Sequence, residues 1–137
     1  MNGIFLVIPF ICKSCSLVQP NIHEKTLGRD LVSNREHIER KYNVFFYTYD
    51  IKNLQYITLL SEIENMIINT YKEINGLTKC NSLVLTNQLY KGFFKIYKDK
   101  QYCKCSAERK YMLKISGIWE NATEVGITYK FTELCEQ

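Results

Sequence analysis

Apolar side chains recur at helical spacing in the middle of the chain, from Thr58 to Asn75. One side of this stretch collects apolar residues and the other side collects polar ones. The apolar positions are Leu59, Leu60, Ile63, Ile67, Tyr71 and Ile74. Asn75 and Gly76 tolerate left-handed backbone angles and favour a helix end. The pattern predicts an amphipathic helix over residues 58–75 that lies on a sheet, with Ile63 and Ile67 in the core.

Short segments rich in β-branched and aromatic residues lie on both sides of this helix and predict strands. They span residues 43–51, 82–89, 92–98, 111–119 and 125–131. The last segment has the clearest period of two, because its apolar and polar side chains alternate strictly. The polar loop Glu120–Glu124 has the length of a hairpin connection, so we expect the last two strands to be an antiparallel pair.

Together these elements predict a single α+β domain over residues 1–137. Its predicted architecture is a mainly antiparallel, OB-like sheet or partial barrel with one main helix, and residues 43–137 are its core region. A hydrophobic fraction of 46% in 137 residues is enough for one contiguous core. No apolar run approaches the roughly eighteen residues of a membrane span, so we expect a soluble intracellular chain.

The segment 1–41 follows no single pattern. Its apolar run Gly3–Cys12 is typical of a buried strand or of an appendage. The same run also fits the core of a secretion signal, although it lacks a preceding positive charge and a clear small-residue cleavage site. Residues 23–41 have a weak helical pattern that Gly28 interrupts.

Positive charge is concentrated in the second half of the chain, whose formal net charge is +4. Residues 1–78 carry eight basic and eight acidic side chains, whereas residues 79–137 carry ten basic and six acidic ones. Between Lys91 and Lys114 the count is eight basic against two acidic. Such a patch permits a polyanionic partner without requiring one.

The pleat of the strands after the helix divides their side chains between two faces. The face assigned to the core holds Phe94, Ile96, Leu113, Ile115, Ile127 and Tyr129. The opposite face holds Phe93, Lys95, Tyr97, Lys114, Thr128 and Lys130. A basic loop beside this face, over residues 98–110, adds Lys98, Lys100, Lys104 and Arg109.

Single-stranded nucleic acid binds to surfaces that combine positive charge for the phosphates with aromatic rings for the bases. We therefore predict a nucleic-acid-binding site, for DNA in the first place. Its residues are Phe93, Lys95, Tyr97, Lys98, Lys100, Arg109, Lys114 and Lys130.

Two other interpretations of this face stay open. Lysines on the wet side of a strand are common, so they could simply be solubilising residues. Alternatively, exposed Phe93, Tyr97 and Trp119 form an aromatic patch for a protein partner or a homodimer.

The sequence contains few residues or motifs that indicate catalysis. The chain has no glycine-rich phosphate loop and no motif of a hydrolase or metalloprotease, and its histidines are His23 and His37. The neighbouring carboxylates Glu62 and Glu64 stand on the predicted polar face of the helix, where we expect them to be solvated. We expect a binding protein without enzymatic activity or cofactor.

The six cysteines suggest reduced thiols rather than a disulfide scaffold, because the chain is large and apolar enough to fold without one. One alternative is a structural zinc ion held by four thiolates, from Cys12 and Cys15 together with Cys103 and Cys105. No glycine or aromatic turn pattern of a zinc ribbon flanks either pair, so we expect no metal.

The segment Lys110–Phe131 resembles the C-terminal hairpin of small proteins encoded by large DNA viruses, some of which have OB-like single-strand-binding folds. The matching stretches are Lys114–Glu120, KISGIWE, and Gly126–Phe131, GITYKF. The resemblance implies a role in DNA replication, recombination or genome handling, in the nucleus or cytoplasm of an infected cell. It implies no particular binding residue.

Overall fold

The computed structural model describes residues 3–18, 40–98 and 110–134. These ranges form an α+β fold with a mostly antiparallel, open sheet of seven strands and two helices. The weak helical pattern expected over residues 23–41 falls almost wholly outside them. In chain order the elements are β1 (Ile4–Ile8), β2 (Cys12–Leu17), β3 (Arg40–Phe46), α1 (Ile51–Asn75), β4 (Cys80–Asn81), α2 (Val84–Tyr90), β5 (Phe93–Lys98), β6 (Lys110–Glu120) and β7 (Glu124–Leu134).

The sheet runs in the order β1-β6-β7-β5-β3-β2, and the short β4 pairs with the start of β7. Two of its pairings are parallel, β5 with β7 and β4 with β7, while the others are antiparallel. The predicted hairpin is confirmed as β6 and β7, which pair from Lys110 with Leu134 to Glu120 with Val125. The closed barrel of an OB fold is not present in these ranges, because the end strands β1 and β2 are not paired with each other.

The apolar N-terminal run joins the two ends of the sheet. Six strands side by side would be about 24 Å wide if flat, yet residues 9–11 connect β1 to β2 over four Cα steps, or at most about 15 Å. The sheet is therefore curved. Phe10 lies in the core between its ends, with its ring centroid 4.6 Å from that of Phe46 and 5.7 Å from that of Phe94.

Helix α1 is longer than the sequence predicts, because it begins at Ile51 rather than Thr58. Asp50 caps it, with the side-chain oxygen accepting from the backbone N–H of Lys52 at 2.9 Å and of Asn53 at 3.2 Å. The predicted end is confirmed at Gly76, which has a left-handed φ of 63°. Ile51, predicted to be the last residue of a strand, is therefore the first residue of the helix, and residues 51–57 form its first two turns.

The buried face of α1 is also rotated from the predicted one. Its fully buried side chains are Asn53, Ile57, Leu60, Glu64 and Ile68. Ile63 and Ile67 pack only at the margin of the core, and Leu59 is exposed. The apolar pattern misplaced the face because two polar residues occupy its centre, each satisfied by hydrogen bonds.

The predicted strand over residues 82–89 is wrong, since this segment forms α2. A short apolar run does not distinguish a buried strand from a buried helical turn by its period. Glu64 of α1 decides the outcome here. Its carboxylate accepts from the backbone N–H of Leu85 and of Thr86, each at 2.9 Å, and thereby caps the start of α2.

Candidate functional site

The two helices pack on one face of the sheet, and no helix of the described ranges covers the other face. On the covered side the strands contribute buried residues such as Val44, Phe94 and Leu113 to the core that α1 completes. The alternate side chains of four central strands form what we call the outer face. Its members include Lys41, Asn43, Phe45, Phe93, Lys95, Tyr97, Lys114, Thr128 and Lys130.

Five of the eight predicted site residues lie on the outer face. Phe93, Lys95 and Tyr97 come from β5, Lys114 comes from β6, and Lys130 comes from β7. The side chain of Lys98 and the whole of Lys100 and Arg109 lie outside the described residues. The same holds for Lys104 and most of the basic loop over residues 98–110.

The strand register brings the outer-face lysines close together. Lys114 stands directly opposite Lys130, and Lys95 stands opposite Asn43. Neighbouring strands are about 4.8 Å apart, so lysines on β6, β7 and β5 follow a path that crosses the strands. Directly opposed like charges are unfavourable in a sheet. Lysines outnumber carboxylates on this side of the four described strands, where Glu124 at the start of β7 is the acidic residue, so the field above the central lysines is positive.

Two of these lysines flank one aromatic ring. The ammonium nitrogen of Lys130 is 5.1 Å from the ring centroid of Tyr97, and that of Lys41 is 5.9 Å from it. Both distances are within the range of cation–π attraction. The half-buried ring therefore sits at the point of the outer face where positive charge from β3 and β7 converges.

Beside Tyr97 the sheet has a small cleft of about 170 Å³. It lies where β5 and β7 are paired through a single residue pair, Ile96 with Phe131. Lys95, Tyr97 and Lys130 line it from the outer face, and the remaining lining residues are Gln88, Phe94, Tyr129 and Phe131. The cleft gives the outer face a concave spot among its cations.

The other rings near this face are held in place by neighbours. Phe45 and Phe93 pack together across β3 and β5, with ring centroids 5.5 Å apart. Trp119 lies over Gly126, where an added Cβ would be only 2.5 Å from the indole. The indole N–H also donates to the carbonyl oxygen of Ile127 at 3.1 Å. Trp119 is therefore a packed residue of the hairpin rather than a free member of an aromatic patch.

β3 supplies three site residues that the sequence prediction missed, namely Lys41, Asn43 and Phe45. The sequence contained a signal for them, because these three residues alternate with the apolar Tyr42, Val44 and Phe46, which are buried. Asn43 is unusual among them. Its side-chain oxygen is buried and accepts no hydrogen bond from the residues that the structure describes. Unpaired buried acceptors are rare in folded proteins and merit an explanation.

Of the four cysteines in the alternative zinc site, only Cys12 and Cys15 belong to the described residues. Cys12 is buried and its thiol donates to the carbonyl oxygen of Phe10 at 3.6 Å, while Cys15 is half-buried on the same side of β2. Cys103 and Cys105 lie outside the described ranges, as do His23 and His37. Over the ranges that are described, no three histidine, cysteine or acidic side chains cluster in a way that would hold a metal ion.

Comparisons with protein-family models, with curated proteins and with solved structures give no significant match to this chain. Neither described helix is both long and apolar enough to cross a membrane.

Proposed function

We propose that the protein binds single-stranded nucleic acid, DNA in the first place, on the outer face and without catalysis. The observation that carries this proposal is the convergence of Lys41 from β3 and Lys130 from β7 on the ring of Tyr97, with Lys95 of β5 lining the adjacent cleft. A flexible single strand needs cations along its phosphates and a ring on which a base can stack, and this face offers both.

The register of the β-strands suggests the path that a bound nucleic-acid strand would take across the outer face. Lys114, Lys130 and Lys95 follow one another across β6, β7 and β5, so a nucleic-acid backbone would cross the strands of the sheet. A base next to these phosphates would reach Tyr97 by displacing a lysine ammonium from the ring. That lysine would then be free to contact a phosphate.

Asn43 supports the same site. An acceptor buried without a partner costs about 1–3 kcal/mol, and such a cost is tolerated most often at functional positions. A small rotation of this side chain would offer its oxygen to the amino group of a base. A role in replication, recombination or genome handling inside an infected cell, which the resemblance of the hairpin implies, is part of this proposal.

The test is a pair of matched double variants titrated with labelled single-stranded and duplex oligonucleotides at several salt concentrations. K114E/K130E reverses the opposed pair on the outer face, whereas K52E/K91E makes the same change of net charge at exposed lysines of α1 and of the turn before β5. Each lost phosphate contact should reduce the salt slope of single-strand binding by about 0.7. We expect K114E/K130E to weaken binding and flatten the slope by about 1.4.

K52E/K91E should bind like the wild type, and circular dichroism should show that both variants fold. Equal binding by the two double variants, or no salt-sensitive binding of single strands by the wild type, would refute the proposal. Affinity for a protein partner that is insensitive to salt would instead favour the interaction module with Phe93 and Tyr97.

A further inference from the structure

The two ends of the sheet are built differently. At one end β2 is interrupted by an irregularity between Cys12 and Ser14 and carries the exposed Lys13, two features that protect an edge strand from pairing. At the other end β1 pairs with β6 in an unbroken register from Ile4 to Ile8. β1 contains no charged residue and no proline. It therefore lacks every device that protects β2.

The side chains of β1 are also unusually exposed for their type. Ile4 and Phe5 are each 46% exposed and Val7 is 55% exposed. No strand of the described ranges pairs with the far side of β1. A regular apolar edge with free backbone N–H and C=O groups is a template for another strand.

We propose that β1 pairs antiparallel with β1 of a second copy of this chain, about a two-fold axis perpendicular to the sheet. The argument for a second copy is self-complementarity. With the axis at Leu6, Phe5 faces Val7 of the other copy and Ile4 faces Ile8. Every facing pair is then apolar, as stable cross-strand pairs require, and no charge is left unpaired. The interface is isologous, the commonest kind in homo-oligomers.

More apolar surface lies at the same edge. β1 pairs with β6 only as far as Ile115, so residues 116–120 of β6 continue the edge alone. Ile118 of this stretch lines an open groove of about 390 Å³ together with residues of α1, namely Met66, Ile67, Thr70, Tyr71 and Ile74. The surface area buried by pairing five residues of each copy is smaller than that of a standard interface, about 1,600 Å². Burial of this groove would enlarge that area. We expect a dissociation constant in the micromolar range.

The symmetry has a consequence for the outer face. A two-fold axis perpendicular to the sheet leaves each face on its own side, so the outer faces of both copies lie on the same side of one joined sheet. This consequence rests on the proposed function, but the dimer does not. A nucleic-acid strand could then extend from one copy to the other.

Sedimentation equilibrium of the full chain, over concentrations on both sides of the micromolar range, tests the dimer. Two double variants at the same positions test the register. In F5K/V7K like charges face each other twice across the proposed interface, whereas in F5E/V7K opposite charges do. We expect the dissociation constant to rise at least about tenfold in F5K/V7K, and we expect F5E/V7K to remain a dimer.

Leu59→Lys is the control, because it adds a charge at an exposed apolar position of α1 and should leave the dimer unchanged. Should F5K/V7K fail to fold beside Lys114, V7K alone replaces it. We expect the dissociation constant of the dimer to rise in V7K as well. A wild type that is monomeric at every concentration overturns the proposal. So does an equal dissociation constant for the two double variants, whether raised in both or unchanged in both.

Discussion

Glu64 is a carboxylate inside the core, and the sequence predicted it to be solvated. It accepts three hydrogen bonds, from the backbone N–H of Leu85, the backbone N–H of Thr86 and the hydroxyl of Thr86 at 2.6 Å. These donors stand at the start of α2, whose own cap residue Leu83 provides no side-chain bond. Burial of a charge is costly unless it is fully hydrogen-bonded, and here the donors of a helix terminus meet that need.

Tyr129 lies within the field of this carboxylate. Burial, and then the negative charge of Glu64, raise the pKa of Tyr129 from 10.0 to about 12. The folded state therefore holds the phenol proton more tightly than the unfolded chain does. The stability that this provides is complete below about pH 10 and is lost as the pH rises through about 12.

Glu64→Gln tests both roles of the carboxylate. The amide has only one acceptor oxygen and places its NH₂ group against a backbone donor, so the free energy of unfolding should fall by about 2–3 kcal/mol. The pKa of Tyr129 should also fall towards its ordinary value, because the charge is gone while the burial remains. Urea unfolding and NMR of carbon-labelled tyrosine measure the two effects. Glu62→Gln, at an exposed position two residues earlier, is the control. An unfolding free energy equal to that of this control would show that Glu64 is not the cap.

At the scale of single elements, α1 shows how a correct helix can carry a misplaced face. The apolar positions predicted for its core side include Leu59 and Ile74, and both are exposed. The buried side is centred on Ile57, Leu60 and Ile68, with Asn53 and Glu64 among them. Packing against β7 and α2 therefore selects a stripe that includes hydrogen-bonded polar residues.

Two substitutions of the same residue type locate the buried face of α1. Ile68→Ala should lower the free energy of unfolding by about 2–5 kcal/mol, because Ile68 is fully buried and the surrounding core relaxes only partly around a cavity. Ile74→Ala, at a position 76% exposed, should change it by less than about 0.5 kcal/mol. Chemical denaturation measures both. Similar effects of the two substitutions would mean that the helix is rotated from the face described above.

At the scale of the molecule, one buried amide ties the ends of the sheet to the helix. The side-chain nitrogen of Asn53 donates to the carbonyl oxygens of Ile11 at 3.0 Å and of Tyr47 at 2.9 Å. Its oxygen accepts from the backbone N–H of Ile11 at 2.8 Å. The first turn of α1 thus holds both the connection between β1 and β2 and the turn that follows β3. These hydrogen bonds of Asn53 hold the two ends of the curved sheet close to each other around Phe10.

Asn53→Asp keeps the shape of this tie but removes its two donors. At neutral pH a buried carboxylate would face two carbonyl oxygens, so we expect a loss of at least about 3 kcal/mol in the free energy of unfolding. The loss should shrink at acidic pH, because a protonated Asp regains one donor. Denaturation at several pH values provides the measurement. Asn69→Asp is the control, because Asn69 is exposed and its side-chain oxygen accepts a hydrogen bond from Asn81 at 2.9 Å. An aspartate at this position keeps that acceptor. Wild-type stability of the Asn53 variant at neutral pH would contradict this role.

The sequence by itself determined the features that depend on near neighbours. The period of two along 125–131 identified the hairpin, and the same alternation placed Lys95, Tyr97, Lys114 and Lys130 on one face. Asn75 and Gly76 marked the end of α1. These features follow from the pleat and from local backbone preferences, which act over a few residues.

Only the tertiary structure decided the order of the strands, and with it the position of β3 beside β5 that adds Lys41 and Asn43 to the outer face. It also decided that 84–90 is a helix and that Glu64 and Asn53 are buried. Glu64 bonds to residues 21 and 22 positions away along the chain, and two of the three side-chain hydrogen bonds of Asn53 reach Ile11, 42 positions away. A polar side chain is stable in the core only when a donor or acceptor meets it there, and no local pattern shows which distant segment will provide one.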